Sequence, residues 1–170
     1  MEERLIEVDV VSAAGLTKMR TFGRQQNAFV VAYILRTSKR VTEVDTKGGL
    51  NPSWNSKLVF ICDERGLNSG KTQLTLEIYS RGVLSNKLTG TVSIPLHLSV
   101  SSRESTESRE SGLAEYPILD ISGKTKGLLK VRVKYGVKRN ITLIIADYIL
   151  LGLKPSFQAL VITSGLMFDD

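Results

Sequence analysis

One histidine, one cysteine and a set of cations gathered in turns are the residues of this chain that could do chemistry. His97 follows a strand-like run and has no second histidine or cysteine at ligand spacing, which argues against a zinc site. Cys62 ends the apolar run that begins at Leu58, has no cysteine partner, and is expected to pack in a core rather than react. No glycine-rich phosphate loop, nucleophile elbow or paired-carboxylate constellation occurs. The reading is therefore of a protein that is not an enzyme and carries no cofactor or metal. Its chemistry would be electrostatic. The chain bears a formal net charge of +6 over 170 residues, and from Lys138 onward cations and anions cancel, so the excess lies in residues 1–137. Such a surface favours phosphate-bearing partners.

Those cations need elements to position them. Ile6, Val8 and Val10 alternate with Glu7 and Asp9, and Leu129, Val131, Val133 and Tyr135 alternate with Lys130, Arg132 and Lys134. Both patterns predict half-buried strands, and neighbouring terminal strands would let the lysine and arginine stripe pair with Glu7 and Asp9. Further strands are predicted at Phe29–Leu35, Lys39–Val44, Ser56–Asp63, Gln73–Tyr79, Thr91–Leu96 and Pro117–Ile121, with no internal helix. Between two of them, Gly48-Gly49-Leu50-Asn51-Pro52-Ser53-Trp54-Asn55 forms a sheet corner: the glycines and Pro52 force a turn, and Trp54 opens the next apolar run. Eight short strands spaced by turn residues predict an all-β antiparallel sandwich.

In an antiparallel chain every second connection emerges at the same end. Thr17–Gln26, Asp45–Ser53, Ser80–Lys87 and Ser122–Gly127 are thereby sorted to one end, with the hydrophilic stretch Ser101–Ser111 at the other. The first set holds Lys18, Arg20, Arg24, Lys47, Arg81, Lys87, Lys124 and Lys126 against Asp45 alone, together with Met19, Phe22, Val83 and Leu84. Basic residues around apolar tips suit an anionic membrane: charge attracts, and partial insertion of an apolar side chain adds to it. The candidate lipid-binding set is Lys18, Met19, Arg20, Phe22, Arg24, Arg81, Val83, Leu84 and Lys87. A second basic group, Arg36, Lys39 and Arg40, lies on or beside the third strand. Ser-Arg-Glu-Ser occurs twice in Ser101–Ser111, at 102–105 and 108–111, and is read as a flexible loop too polar to order itself by burial. Nucleic acid is disfavoured as a partner because the basic loops lack the interleaved aromatics of a stacking platform.

The corner, with Leu5-Ile6-Glu7-Val8-Asp9-Val10-Val11-Ser12-Ala13-Ala14-Gly15-Leu16 before it and Gly90-Thr91-Val92-Ser93-Ile94-Pro95-Leu96 after it, resembles the C2 domain, and most closely the small single-C2 proteins of plants, of the cold-regulated and copine-associated type. The resemblance implies an eight-stranded C2 β-sandwich over residues 1–137. Many C2 domains hold calcium between loop aspartates, and by that pattern acids belong near Lys18 or Met19, at Asn27, Ser80 and Gly82, and around Asn86. None is acidic, and Lys18, Arg20, Arg24, Arg81 and Lys87 would repel a divalent ion. The resemblance thus implies a calcium-independent module that binds anionic phospholipid peripherally at the cytoplasmic side of the plasma membrane. It would also tether a protein partner such as a copine-type protein, in stress or defence signalling. The alternative is a protein-interaction sandwich without significant lipid binding.

Residues 138–170 fall outside that pattern. Ile141–Leu151 and Ala159–Phe168 are apolar, but each is shorter than the roughly 18–20 residues a spanning helix needs, and Asp147, Lys154 and Pro155 interrupt a combined span. They form an apolar C-terminal extension, helical or poorly ordered, expected to pack on the domain or on a partner. The acidic start, Met1-Glu2-Glu3-Arg4, has no signal-like run behind it and suits an intracellular protein.

Overall fold

The computed structural model describes residues 2–17, 26–97, 109–140 and 150. Among the described residues nine strands appear in chain order: β1 (Glu2–Ala14), β2 (Ala28–Tyr33), β3 (Arg40–Val41), β4 (Ser53–Asp63), β5 (Thr72–Ser80), β6 (Lys87–Leu96), β7 (Arg109–Glu110), β8 (Ala114–Leu119) and β9 (Thr125–Asn140). All pairings are antiparallel, in the order β3-β2-β5-β6-β8-β9-β1-β4, with β7 added to β9. The order divides into two four-stranded layers, because β6 and β8 meet at one residue pair, Thr91 with Leu119. This is the all-β antiparallel sandwich that the spacing of strands and turns predicts.

Alternation decides which side chains fill it. Ile6, Val8 and Val10 of β1, Val30 and Ala32 of β2, Leu58 and Phe60 of β4, Leu74, Leu76 and Ile78 of β5, and Val131 and Val133 of β9 belong to one buried cluster. Burying those residues on facing sheets is the main favourable term holding the layers together. The corner motif adds a specific bond: Trp54 is buried, and its Nε1 donates to the Ala28 carbonyl at 2.9 Å, tying β4 to β2 of the opposite layer. Cys62 is buried in the same cluster, where loss of water pushes its thiol up to about 12.

Three sequence expectations change in detail. The third strand shortens to Arg40–Val41, followed by an isolated bridge from Asp45 to Ala28. The strand predicted through Ile121 ends at Leu119, leaving Ile121 in the turn. A five-residue helix, α1 (Glu64–Asn68), replaces the predicted absence of internal helix. Asp63 caps it, accepting from the Arg65 backbone N–H at 3.4 Å, and Leu67 turns into the core to close that end of the sandwich. One turn is too short to show helical periodicity, so only the cap and the following Glu64 signal it. Among the described residues, no helix is long and apolar enough to cross a membrane.

Candidate functional site: the cationic loop end

The predicted sorting of loops is what the structure shows for their described parts. Gly15 N–H donates to Asn51 Oδ1 and Leu16 N–H to the Leu50 carbonyl, both at 2.9 Å, joining the β1 exit to the corner. Arg81 N–H donates to the Asn27 carbonyl at 2.8 Å, joining the β5–β6 loop to the β2 entry. Gly127 lies so close to Ala14 that an added Cβ would stand 2.5 Å from the Ala14 carbonyl oxygen, and its φ of 130° already excludes most side chains. Leu88 and Thr89 share the lining of one cleft with Asp120 and Ile121, which brings the 120–124 turn beside the start of β6.

Both carboxylates at this end serve the backbone. Asp45 accepts from Ser53 N–H at 2.6 Å, Lys47 N–H at 2.7 Å and Gly48 N–H at 2.8 Å, which folds the corner around it. These bonds, led by that from Ser53, hold its carboxyl below the ordinary range. A Cβ at Gly48 would come within 2.6 Å of the same carboxylate, so the first glycine of the pair is needed for the close approach. Asp120 accepts from the Ser122 hydroxyl at 2.6 Å, Ser122 N–H at 2.8 Å and Lys124 N–H at 3.0 Å, and its carboxyl is likewise held low. Its other oxygen lies 3.4 Å from Lys126 Nζ. Asp120 was missed as a member of this end, and its pairing partly neutralises one of the loop cations. The sequence signal was present: an Asp followed two residues later by Ser and three later by Gly is turn chemistry. Among the described residues, no three His, Cys, Asp or Glu side chains gather where a metal ion could be held.

What this end presents outward is apolar and basic. The chain turns sharply at Gly82, where a Cβ would strike the Ser85 carbonyl oxygen. Leu84 at the tip is 99% exposed, and Val83, Arg81 and Lys87 are exposed around it. Ile121 is 100% exposed beside exposed Lys124. Thr17, Leu88, Tyr116, Pro117, Leu119 and Ile121 help to line a cleft of about 520 Å³ where the two layers separate beyond the Thr91–Leu119 pair. Ile121 and the cleft were not legible as site features, because an apolar run cannot by itself show where its strand stops pairing. Of the predicted lipid-binding residues, Arg81, Val83, Leu84 and Lys87 come together here; Lys18, Met19, Arg20, Phe22 and Arg24 lie outside the described residues.

The second basic group divides. Arg36 and Lys39 both lie over the Tyr33 ring, 5.5 and 5.4 Å from its centre. The Tyr33 hydroxyl donates to Glu77 at 2.9 Å, and the Tyr79 hydroxyl donates to the other Glu77 oxygen at 3.0 Å. Burial, and then these bonds to a carboxylate, push both phenols up. Arg40, which pairs with inward-facing Ala32, instead places its guanidinium 6.0 Å from the buried Phe60 ring at the open edge between layers. The stripe on β9 pairs as expected in part: Arg132 and Lys134 reach Asp9 at 4.0 and 3.7 Å, whereas Lys130 takes Glu115 and Glu7 takes Lys57. Most of the Ser101–Ser111 loop lies outside the described residues; at its end Arg109 and Glu110 pair with Tyr135 and Lys134 as β7.

The family model for the C2 domain matches residues 4–111. The chain belongs to the C2 domain family. C2 domains are modules of membrane and protein interaction. The Protein SRC2 homolog of Arabidopsis thaliana is 28% identical over 141 residues, covering 81% of this C2 chain and 42% of that protein. Protein SRC2 of Glycine max is 25% identical over 139 residues, covering 80% and 47%. This chain therefore spans less than half the length of these curated relatives. Among solved structures, a C2 domain of plant Extended Synaptotagmin 1 superposes with a TM-score of 0.58 at 21% identity, covering 81% of this chain and 97% of that one. A C2 domain-containing protein from a putative elicitor-responsive gene gives 0.58 at 22% identity, covering 79% and 90%. At these identities the likeness establishes the fold alone.

Proposed function

We propose that this C2 domain docks peripherally on anionic phospholipid membranes without calcium. One observation carries the reading. At the loop end Asp45 and Asp120 are engaged by backbone N–H groups and Lys126, while Leu84 and Ile121 project fully exposed beside Arg81, Lys87 and Lys124. A divalent ion needs about six to eight oxygen ligands, and the carboxylates nearest to hand, Asp45 and Asp120, already accept three hydrogen bonds each. An anionic surface meets the opposite situation: each basic residue near it contributes about 1 kcal/mol, and shallow insertion of Leu84 and Ile121 adds up to about 1.5–3 kcal/mol each.

The module would further tether a protein partner, of copine type, in plant stress or defence signalling at the cytoplasmic face of the plasma membrane. Kinship with the SRC2 proteins of Arabidopsis thaliana and Glycine max supports the plant part of that setting. A protein-interaction role without lipid contact is the second reading, favoured by the apolar cleft between β6 and β8. Co-sedimentation with vesicles of phosphatidylcholine, with and without phosphatidylserine, tests the first reading in chelator and in calcium, at low and high salt. Binding should require phosphatidylserine, weaken with salt and ignore calcium. Binding that appears only with calcium would overturn it, and no binding in any condition would leave the second reading.

A further inference from the structure

Two strand edges run side by side with a single residue pair between them. β6 pairs with β5 along Lys87–Leu96 and β8 with β9 along Ala114–Leu119, yet β6 and β8 join only at Thr91 and Leu119. The cleft of about 520 Å³ lies along this seam, within the roughly 300–1,000 Å³ of small-molecule sites. Leu88, Thr91 and Ser93 mark its course on β6, and Tyr116, Pro117 and Leu119 of β8, with Ile121 of the following turn, form its other wall. Leu88, Leu119 and Ile121 are exposed, so the wall offers apolar surface to whatever enters. Leu88 to Ser93 spans about 17 Å of strand, which accommodates an extended chain of roughly a dozen carbons.

Charge is gathered at one end of the cleft. Thr17, Asp120 and Lys126 line it beside the loops, and exposed Lys87 and Lys124 adjoin them. The Asp120 carboxylate already accepts from Ser122 and Lys124 and lies 3.4 Å from Lys126 Nζ, so the cations outnumber it and this end favours an anion. Thr89 also lines the cleft; it is 7% exposed, and its hydroxyl has no hydrogen-bond partner, a defect that a ligand oxygen would remove. An added peptide strand suits the seam less well. Pro117 pairs with Leu128 of β9 and has no N–H to give to a strand on its other side.

We propose that the cleft between β6 and β8 holds one single-chain anionic lipid, its tail along β6 toward Ser93 and Tyr116 and its head at Lys126 and Lys124. A long-chain fatty acid is the simplest member of that class. The site differs from bilayer docking, because it encloses one chain rather than inserting Leu84 into a surface, and it stands or falls without the membrane reading.

The full chain is titrated with cis-parinarate, a fatty acid that fluoresces in apolar surroundings, below its micelle concentration and without vesicles. Fluorescence should saturate at one molecule per chain. Methyl parinarate, which lacks the charge, should bind about 10-fold more weakly, and Lys126→Met should narrow that difference. Ser93→Trp, which fills the far end of the cleft, and Leu119→Asp, which sets a charge in its wall, should each weaken binding by about 10-fold or more. Both positions are exposed, and thermal melts should show that both variants fold like the parent protein. Ser93→Trp should sediment with phosphatidylserine vesicles as the parent does, which separates failure of this site from failure of membrane docking. An ester bound as tightly as the acid, or parent-like affinity in both folded variants, would overturn the proposal. So would the absence of saturable binding, which would return the cleft to a protein partner.

Discussion

Arg4 holds Glu64 by two bonds, Nε to one carboxylate oxygen at 3.0 Å and Nη2 to the other at 3.1 Å, with both side chains buried. The remaining Nη1 donates to the Gly136 carbonyl at 2.8 Å. One guanidinium thus joins β1, β9 and α1 at the end opposite the loops. Such a pair gains little over an apolar pair of the same volume, but a lone buried charge left behind is costly.

Arg4→Met should therefore destabilise the fold by about 3–5 kcal/mol, and Arg4→Met combined with Glu64→Leu should recover most of the loss. Urea unfolding of the two single variants and the double variant measures it. Additive losses would show that the pair does not act as a unit.

Two carboxyls should give opposite acid dependence. The Asp45 carboxyl is lowered by the Ser53, Gly48 and Lys47 N–H groups, so its contribution is present above the ordinary value of 3.8 and is lost as pH falls through the lower folded value. Burial, then Asp63, raises the Glu3 carboxyl, so the folded chain keeps a proton that the unfolded chain releases. Stability from that source falls as pH rises from 4.5 through the raised value. Glu3→Gln should then stabilise at pH 7 relative to pH 4, and Asp45→Asn should flatten the acid limb below about pH 4. Thermal melts of each variant across pH 2–7 test both signs.

Leu84→Asp and Ile121→Asp should each weaken partition onto phosphatidylserine vesicles by roughly 10-fold or more at fixed salt, with the melting temperature little changed because both side chains are exposed. Lys87→Glu and Lys124→Glu should weaken it too, and should also flatten its dependence on salt. If all four behave like the parent protein, membrane contact is made elsewhere.

Gly127→Ala should cost roughly 2–4 kcal/mol, since it joins a φ of 130° to a Cβ held 2.5 Å from a carbonyl oxygen. Gly123→Ala, in open space at a φ of 77°, should cost only about 1 kcal/mol. Chemical denaturation distinguishes them; equal effects would mean that the backbone angle alone matters.

The fold was legible wherever one face of a strand is buried. Ile6, Val8 and Val10, and Leu74, Leu76 and Ile78, announce strands through period-two alternation, and their burial follows it without exception. The end at which the loops gather followed from antiparallel chain reversal. Less legible was whatever depends on a side chain's neighbour. Asp120 reads as an ordinary turn residue until its bonds to Ser122, Lys124 and Lys126 appear. Arg36, Lys39 and Arg40 read as one cluster, but strand parity sends Arg40 to the inner edge and leaves the other two on Tyr33.

β1 is an inner strand whose two neighbours, β4 and β9, come from the middle and the far end of the chain, and β9 aligns Asn140 with Glu2. β1 is thus made before either of its neighbours and is among the last strands of this domain to find its full set of partners. A nascent chain on the ribosome must carry β1 with one edge bare until residue 140 has cleared the exit tunnel, and pausing shortly before that point would prolong its exposure to edge-to-edge aggregation.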